Sequence, residues 1–207
     1  SNTVAKAAST DLGDDGINNV VDSASKEDVF LPVAAGELSY TFADTETQLF
    51  LGTLLEDFVR FDSSTRAGVR QGIGDAGLMS FSLLTTPMTG AKTWNDPFKT
   101  NDIGKRTTTD RTSTGARIAW GSIFGTGLEL RYSWRDQHVD NDRIGQSLVG
   151  VGGPNGITAA EQRELLRDGD LTTAEALYTF NLGDGNILVL TARYNENQLD
   201  GDALSYD

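Results

Sequence analysis

Three sets of side chains in this 207-residue sequence offer chemistry: one histidine among aspartates, aspartates beside glycines, and arginines inside alternating segments. His138 stands with Asp136, Asp140 and Asp142, and a histidine–carboxylate pair is what a hydrolase uses to move a proton. No serine on a strained, glycine-flanked elbow accompanies it. We therefore read an acidic, solvated loop and expect no enzyme. Asp11, Asp14 and Asp15 around Gly13 and Gly16, Asp168-Gly169-Asp170 and Asp200-Gly201-Asp202 resemble calcium loops. They lack the alternate ligand spacing and distal glutamate of an EF-hand. With no cysteine in the chain, thiolate metal sites, cysteine nucleophiles and disulfides are absent. Neither a metal nor any other cofactor is expected.

The third set has more order. Arg66, Arg70, Arg117, Arg131, Arg135 and Arg193 each fall on the parity opposite to the apolar face of their own segment, and the segments also hold Glu129 and Glu175. Eight such segments read as strands: 38–43, 47–53, 64–71, 77–86, 112–121, 127–135, 171–182 and 187–194. In Leu128-Glu129-Leu130-Arg131-Tyr132-Ser133-Trp134-Arg135 every even position is apolar or aromatic and every odd one polar, so the two sets occupy opposite faces of a strand. Ala116, Ile118 and Trp120, then Met79, Phe81 and Leu83, then Ala176, Tyr178, Phe180 and Leu182 repeat the pattern. The segments hold six arginines against two glutamates, so +4, which leaves −17 for the rest of a chain whose net charge is −13. That overall charge argues against nucleic acid as a partner, because phosphate binding requires a basic face.

What must position these residues is a sheet. No apolar run approaches the ~18 residues a membrane helix needs, whereas a membrane-crossing strand shows only about ten residues of alternation. The connections alternate in length. Asp44-Thr45-Glu46, 72–76, 122–126 and Gly183-Asp184-Gly185-Asn186 are short and turn-rich, while 54–63, 87–111 and 136–170 are long. Tight turns at one end and long loops at the other are the arrangement of an outer-membrane barrel. We thus expect an all-β, antiparallel, up-and-down transmembrane β-barrel with about eight strands visible, part of a larger barrel. Residues 1–36 read as a flexible arm or extracellular loop, and 37–207 as the barrel segment with long acidic loops at 87–111 and 136–170. A start at Ser1 and a stop inside the polar stretch at Asp207 suggest a fragment or processed chain with further strands to follow.

Within the 136–170 loop, Thr158 with Glu161 three residues on forms a capping box ahead of Gln162-Arg163-Glu164-Leu165-Leu166-Arg167, with Gly169 as a stop. Trp94 and Phe98 around Asp96-Pro97 suit an anchor for a loop on the rim or, alternatively, a sugar contact.

Several short runs in order carry a family resemblance: Thr47-Gln48-Leu49-Phe50-Leu51-Gly52 continuing into Leu55-Glu56-Asp57 and Arg60-Phe61-Asp62, then Gly68-Val69-Arg70-Gln71. They continue with Trp94-Asn95-Asp96-Pro97-Phe98, Thr109-Asp110-Arg111-Thr112-Ser113, Asp168-Gly169-Asp170 and Leu199-Asp200-Gly201-Asp202. From about Gly36 onward the chain resembles a family of uncharacterised Gram-negative outer-membrane β-barrel proteins grouped as a domain of unknown function. The resemblance implies the fold and the outer-membrane location, and no activity. The expected role is porin-like passive passage of small solutes. Arg66, Arg70, Arg117, Glu129, Arg131, Arg135, Glu175 and Arg193 would line the pore and favour anions. The alternatives are a non-conducting barrel that binds or supports through its loops, its arginines paired across strands, and a soluble β-rich binding module. Expected partners are outer-membrane lipid, lipopolysaccharide and small solutes.

Overall fold

The computed structural model describes residues 4–7, 10–11, 16–19, 36–54, 64–86, 92–153 and 156–204. Eight antiparallel strands run as a meander in which each pairs with its neighbours in sequence. They are β3 (Glu37–Phe42), β4 (Thr47–Leu54), β5 (Ser64–Gly72), β6 (Leu78–Thr85), β8 (Thr108–Gly121), β9 (Leu128–Val139), β10 (Gly169–Gly183) and β11 (Asn186–Leu199). All eight expected segments are strands. The interruption in numbering is a small branch: β7 (Lys92–Trp94) pairs with the first residues of β8, β1 (Val4–Ala7) pairs with β7, and β2 (Thr10–Asp11) pairs with β1. The sheet is not closed, because among the described residues β3 and β11 each have one unpaired edge.

Four tight turns gather at one end, as a meander of hairpins requires. Three are single turns of 3-10 helix at Ala43–Thr45, Gly74–Ala76 and Ile123–Gly125. In the fourth, Asp184 and Gly185 have φ of 50° and 78°, and positive φ at both central residues gives the turn whose twist matches its two strands.

The register sets the chemistry of the two faces. Leu38, Tyr40 and Phe42 of β3, Leu49 and Leu51 of β4, Phe81 and Leu83 of β6, and Ile118 of β8 share the outer face. Leu130, Tyr132 and Trp134 of β9, Tyr178, Phe180 and Leu182 of β10, and Leu188, Leu190 and Tyr194 of β11 complete it. Every one of these seventeen is exposed, from 38% at Tyr178 to 76% at Leu38. The inner face collects the polar groups: Ser64, Ser82, Ser113, Arg117, Ser133, Arg135, Gln137, Thr173, Glu175 and Asn197 are all buried there, and Leu78, Ile187 and Val189 are exposed apolar residues near its tight-turn end. A soluble protein buries its apolar face and wets its polar one, so this sheet is inverted.

The sheet also curls toward its polar side. Arg135 on β9 donates to Ser64 on β5 at 3.4 Å, although three strand spacings separate them, about 14 Å in a flat sheet. Arg117 on β8 reaches Glu175 on β10 at 3.7 Å, and Gln137 on β9 donates to Asn197 on β11 at 3.1 Å. The polar face is therefore concave.

Four strands outrun the expected ranges. β8 begins at Thr108, β9 continues to Val139, β10 begins at Gly169 and β11 continues to Leu199. Beyond Trp134 the outward positions turn polar, with Asp136 and His138 on β9, Thr112 and Asp110 on β8, Thr172 and Asp170 on β10, and Glu196 and Gln198 on β11. The alternation that marks a strand in sequence is lost there, while the backbone ladder carries on. The helix, Ala159–Arg163, has both bonds of its capping box. It ends at Arg163 rather than running to Gly169, which instead opens β10.

Gly68 shows how closely the inner face is fitted. A Cβ there would meet Phe81 O at 2.2 Å and the Phe50 ring at 2.8 Å. Phe50, 5% exposed, lies over this gap and carries the guanidinium groups of Arg70 and Arg66 at 4.0 and 5.1 Å from its ring centre. Gly68→Val should displace Phe50 and lower stability by about 1–3 kcal/mol. Ala67→Val, on the exposed outer face, should stay within about 0.5 kcal/mol; paired denaturant titrations would check the difference.

Candidate functional site

All eight residues expected to line a pore project from the concave face: Arg66 and Arg70 from β5, Arg117 from β8, Glu129, Arg131 and Arg135 from β9, Glu175 from β10 and Arg193 from β11. Two carboxylates organise them. Glu175, with a side chain only 2% exposed, sits opposite Arg131 on one neighbouring strand and Arg193 on the other. It pairs with Arg193, and its Oε2 lies 3.7 Å from Arg117 and 3.9 Å from Arg131. Arg131 also donates to Glu129 at 2.6 Å. Burying a carboxylate this deeply is costly unless charge and hydrogen bonds compensate it.

The second carboxylate is Glu37, which the sequence reading left one residue outside its strand. As the first residue of β3 it faces inward and accepts from Arg66 at 2.8 Å and from Arg70 at 2.7 Å, while Arg70 also donates to Gln48 at 2.6 Å. Arg111, likewise outside the expected range, is inward too and bonds Gln137. The described concave face thus presents seven arginines and three glutamates, and no lysine. These arginines pair across strands, and the wall keeps an excess of positive charge.

The long connections are built around two aspartates, one buried and one half-buried. Asp96, 4% exposed, accepts backbone N–H bonds from Phe98, Gly145 and Ser147 at 3.1, 3.2 and 2.7 Å. Asp142 holds Arg167 through its side chain at 2.6 Å and its backbone N–H at 3.0 Å, and Arg167 donates onward to Thr93 Oγ1 and the Trp94 carbonyl, both at 2.8 Å. Trp94 is 4% exposed beneath the Arg106 guanidinium, 4.4 Å from its ring, and Pro97 is fully buried. The Trp94 ring is therefore packed within its own connection, while its carbonyl receives Arg167 from the other; Phe98 is half-buried.

His138 bridges Asp168 at 2.7 Å and Asp140 at 3.3 Å, and Asp168 also accepts the Val139 N–H at 2.8 Å. The histidine and one aspartate of the Asp168-Gly169-Asp170 motif thus fasten the loop to the strand end. Among the described residues no group of three histidine, cysteine or acidic side chains is arranged to hold a metal ion. Asp14 and Asp15 lie outside the described residues.

Glu175→Gln should remove the charge around which Arg117, Arg131 and Arg193 gather, and cost on the order of 3 kcal/mol. Glu129→Gln, at a side chain 36% exposed, should cost under about 1 kcal/mol. Unfolding midpoints in denaturant would separate the two. The Asp168 carboxylate raises the His138 pKa above its ordinary value, through its hydrogen bond first and its charge second. A raised folded pKa stabilises fully below the ordinary histidine pKa, and the gain disappears as pH rises through the folded value. Melting temperatures between pH 5.5 and 8.5 should therefore fall toward the alkaline end for the wild type, with a flatter profile for His138→Gln.

No curated protein and no solved structure matches the chain. Its whole length, residues 1–207, matches the family described as "Protein of unknown function (DUF2860)", and the chain belongs to that family.

Proposed function

We propose that this chain is part of a larger outer-membrane β-barrel whose convex face contacts lipid and whose concave face borders a water-filled lumen. Its role would be porin-like, non-enzymatic passage of small solutes with a preference for anions. The observation that carries the reading is the inverted sheet, in which seventeen large apolar side chains are exposed on one face and charge is collected on the other. Phe42, Trp120 and Phe180 lie toward the tight turns, and Tyr132, Trp134 and Tyr194 toward the long connections, as interfacial girdles would place aromatics. From Ala174 to Leu182 the outer face of β10 runs for roughly 27 Å along the strand, enough to cross most of an apolar bilayer core at a tilt. No helix among the described residues is long and apolar enough to span. A lipid-embedded sheet cannot leave its edges unpaired, so the reading requires strands beyond the eight, as the sequence led us to expect.

The second reading, a non-conducting barrel acting through its loops, draws on the cross-strand pairing at Glu37 and Glu175 and on the packed connections around Asp96 and Asp142. A soluble β-rich module would have to keep an apolar sheet face in water, a surface normally covered by a partner.

Two experiments divide these possibilities. Leu130→Arg places a charge in the middle of the outer face; it should impair folding into lipid bilayers by about 2–4 kcal/mol. On a water-exposed surface the same change should be nearly neutral. The full-length protein in a planar bilayer should conduct, and the reversal potential in a salt gradient should show anions passing faster. Absence of conductance would leave the second reading, and cation preference would remove the anion assignment.

A further inference from the structure

The concave face is not filled evenly. Near the tight turns it opens into a cleft of 310 Å³ between β5, β6, β8 and β9. The cleft follows from one row of the register: Arg70 on β5 is opposite Ser80 on β6, Ser80 is opposite Ala119 on β8, and Ala119 is opposite Arg131 on β9. Two small residues separate two arginines. Arg66 and Arg117 line the same space, with Ser82 beside them.

We propose that this cleft is a discrete binding site for a phosphate-type oxyanion, free or carried as the phosphate group of a small organic ester. The proposal rests on reading the concave face as water-filled. Guanidinium forks match pairs of phosphate oxygens and keep their charge at any working pH. Four of them converge from three strands, and a tetrahedral dianion can accept from several directions, whereas a planar carboxylate is satisfied by one or two forks. The serine hydroxyls add neutral donors from β6. The lining carries four arginines against Glu129, a net +3. Counting Glu37 and Glu175, which pair with these arginines, the group keeps a charge of +1. Between low-dielectric protein walls that excess is focused into the cleft and attracts an anion more strongly than the same charge on a flat surface would.

Glu129 then tunes the affinity, since its carboxylate draws on Arg131 at 2.6 Å and repels an incoming anion. Inorganic phosphate and glycerol 3-phosphate would each be titrated calorimetrically into the full-length protein in zwitterionic detergent at low ionic strength. One saturable site per chain is expected. Arg131→Gln should weaken it about tenfold and Glu129→Gln should tighten it severalfold, as loss of an attractive or repulsive charge at contact distance predicts. Arg111→Gln removes the same unit charge from the same face but outside the cleft, so it should change affinity less than about twofold. Tighter binding of the ester would assign the site to organic phosphates, and equal binding to phosphate itself; either supports it. Uptake without saturation, or equal weakening by Arg111→Gln, would overturn the site in favour of a diffuse positive wall. Each variant would first be checked for folding by heat-dependent gel mobility, and the Glu129→Gln result stands even if Arg131→Gln fails to fold. Binding in detergent is independent of conduction, so a silent bilayer with intact phosphate binding would remove the passage reading and leave the site.

Discussion

A pleated strand gives its side chains only two directions, and hydrogen-bonded register extends that choice across every strand of a sheet. Here the consequence is that a single slip of one residue anywhere from β3 to β11 would exchange Leu130, Tyr132 and Trp134 with Glu129, Arg131 and Ser133, or their equivalents. Most strands repeat the same inversion, with Leu78 of β6 and Ile187 and Val189 of β11 as exposed apolar residues on the inner parity, and the strands reinforce one another's register. The apolar side chains contribute little to an internal core, since Phe50, Leu84, Trp94, Ile123, Val139 and Ile144 are its buried hydrophobic members among the described residues. Cohesion comes from the backbone ladder and from the charged inner wall.

That wall depends on charge pairing because its arginines share a crowded concave surface. Glu175 and Glu37 each hold more than one guanidinium, and they do so across strands, so each glutamate acts as a cross-link for the curl as well as a counter-charge. Arginine suits this duty better than lysine. Its planar fork presents donors in several directions, and Arg70 uses them on both Glu37 and Gln48. Gly68, Ser80, Ser82 and Ala119 make room for these long side chains. Small residues on the inner face and large ones on the outer face are thus two parts of one fit.

Much of this was legible in sequence because alternation between apolar and charged residues is a strong local signal. It identified all eight strands and placed Arg66, Arg70, Arg117, Glu129, Arg131, Arg135, Glu175 and Arg193 on one parity. The signal stopped where both faces became polar, which is why Thr108–Arg111, Asp136–Val139 and Asn195–Leu199 were left out of their strands. Glu37 was missed for a related reason: it is the first residue of β3, next to a glycine, with no apolar neighbour before it. The pairing of Val4–Ala7 with Lys92–Trp94 joins segments far apart in the chain, and no period reports such a contact. Asp96 and Asp142 were read as ordinary loop acids. Their partners are mostly backbone N–H groups and one distant arginine, which residue types alone do not reveal. The capping box was legible because its two residues are three apart.

The distribution of charge bears on how an acidic protein could favour anions. Asp110, Asp136, Asp170 and Glu196 lie on the outward parity of the strand extensions, past the apolar band, so the sheet itself stands between them and the concave face. At physiological ionic strength an exposed charge is largely screened beyond about 8 Å, whereas the four arginines that line the cleft would meet a solute at contact distance. The total of −13 therefore averages two unlike parts: the concave face's seven arginines and three glutamates contribute +4, and the rest of the chain carries −17. What a small solute on the concave face would meet is set by seven arginines and three glutamates, and among them by how far Glu129 offsets Arg131.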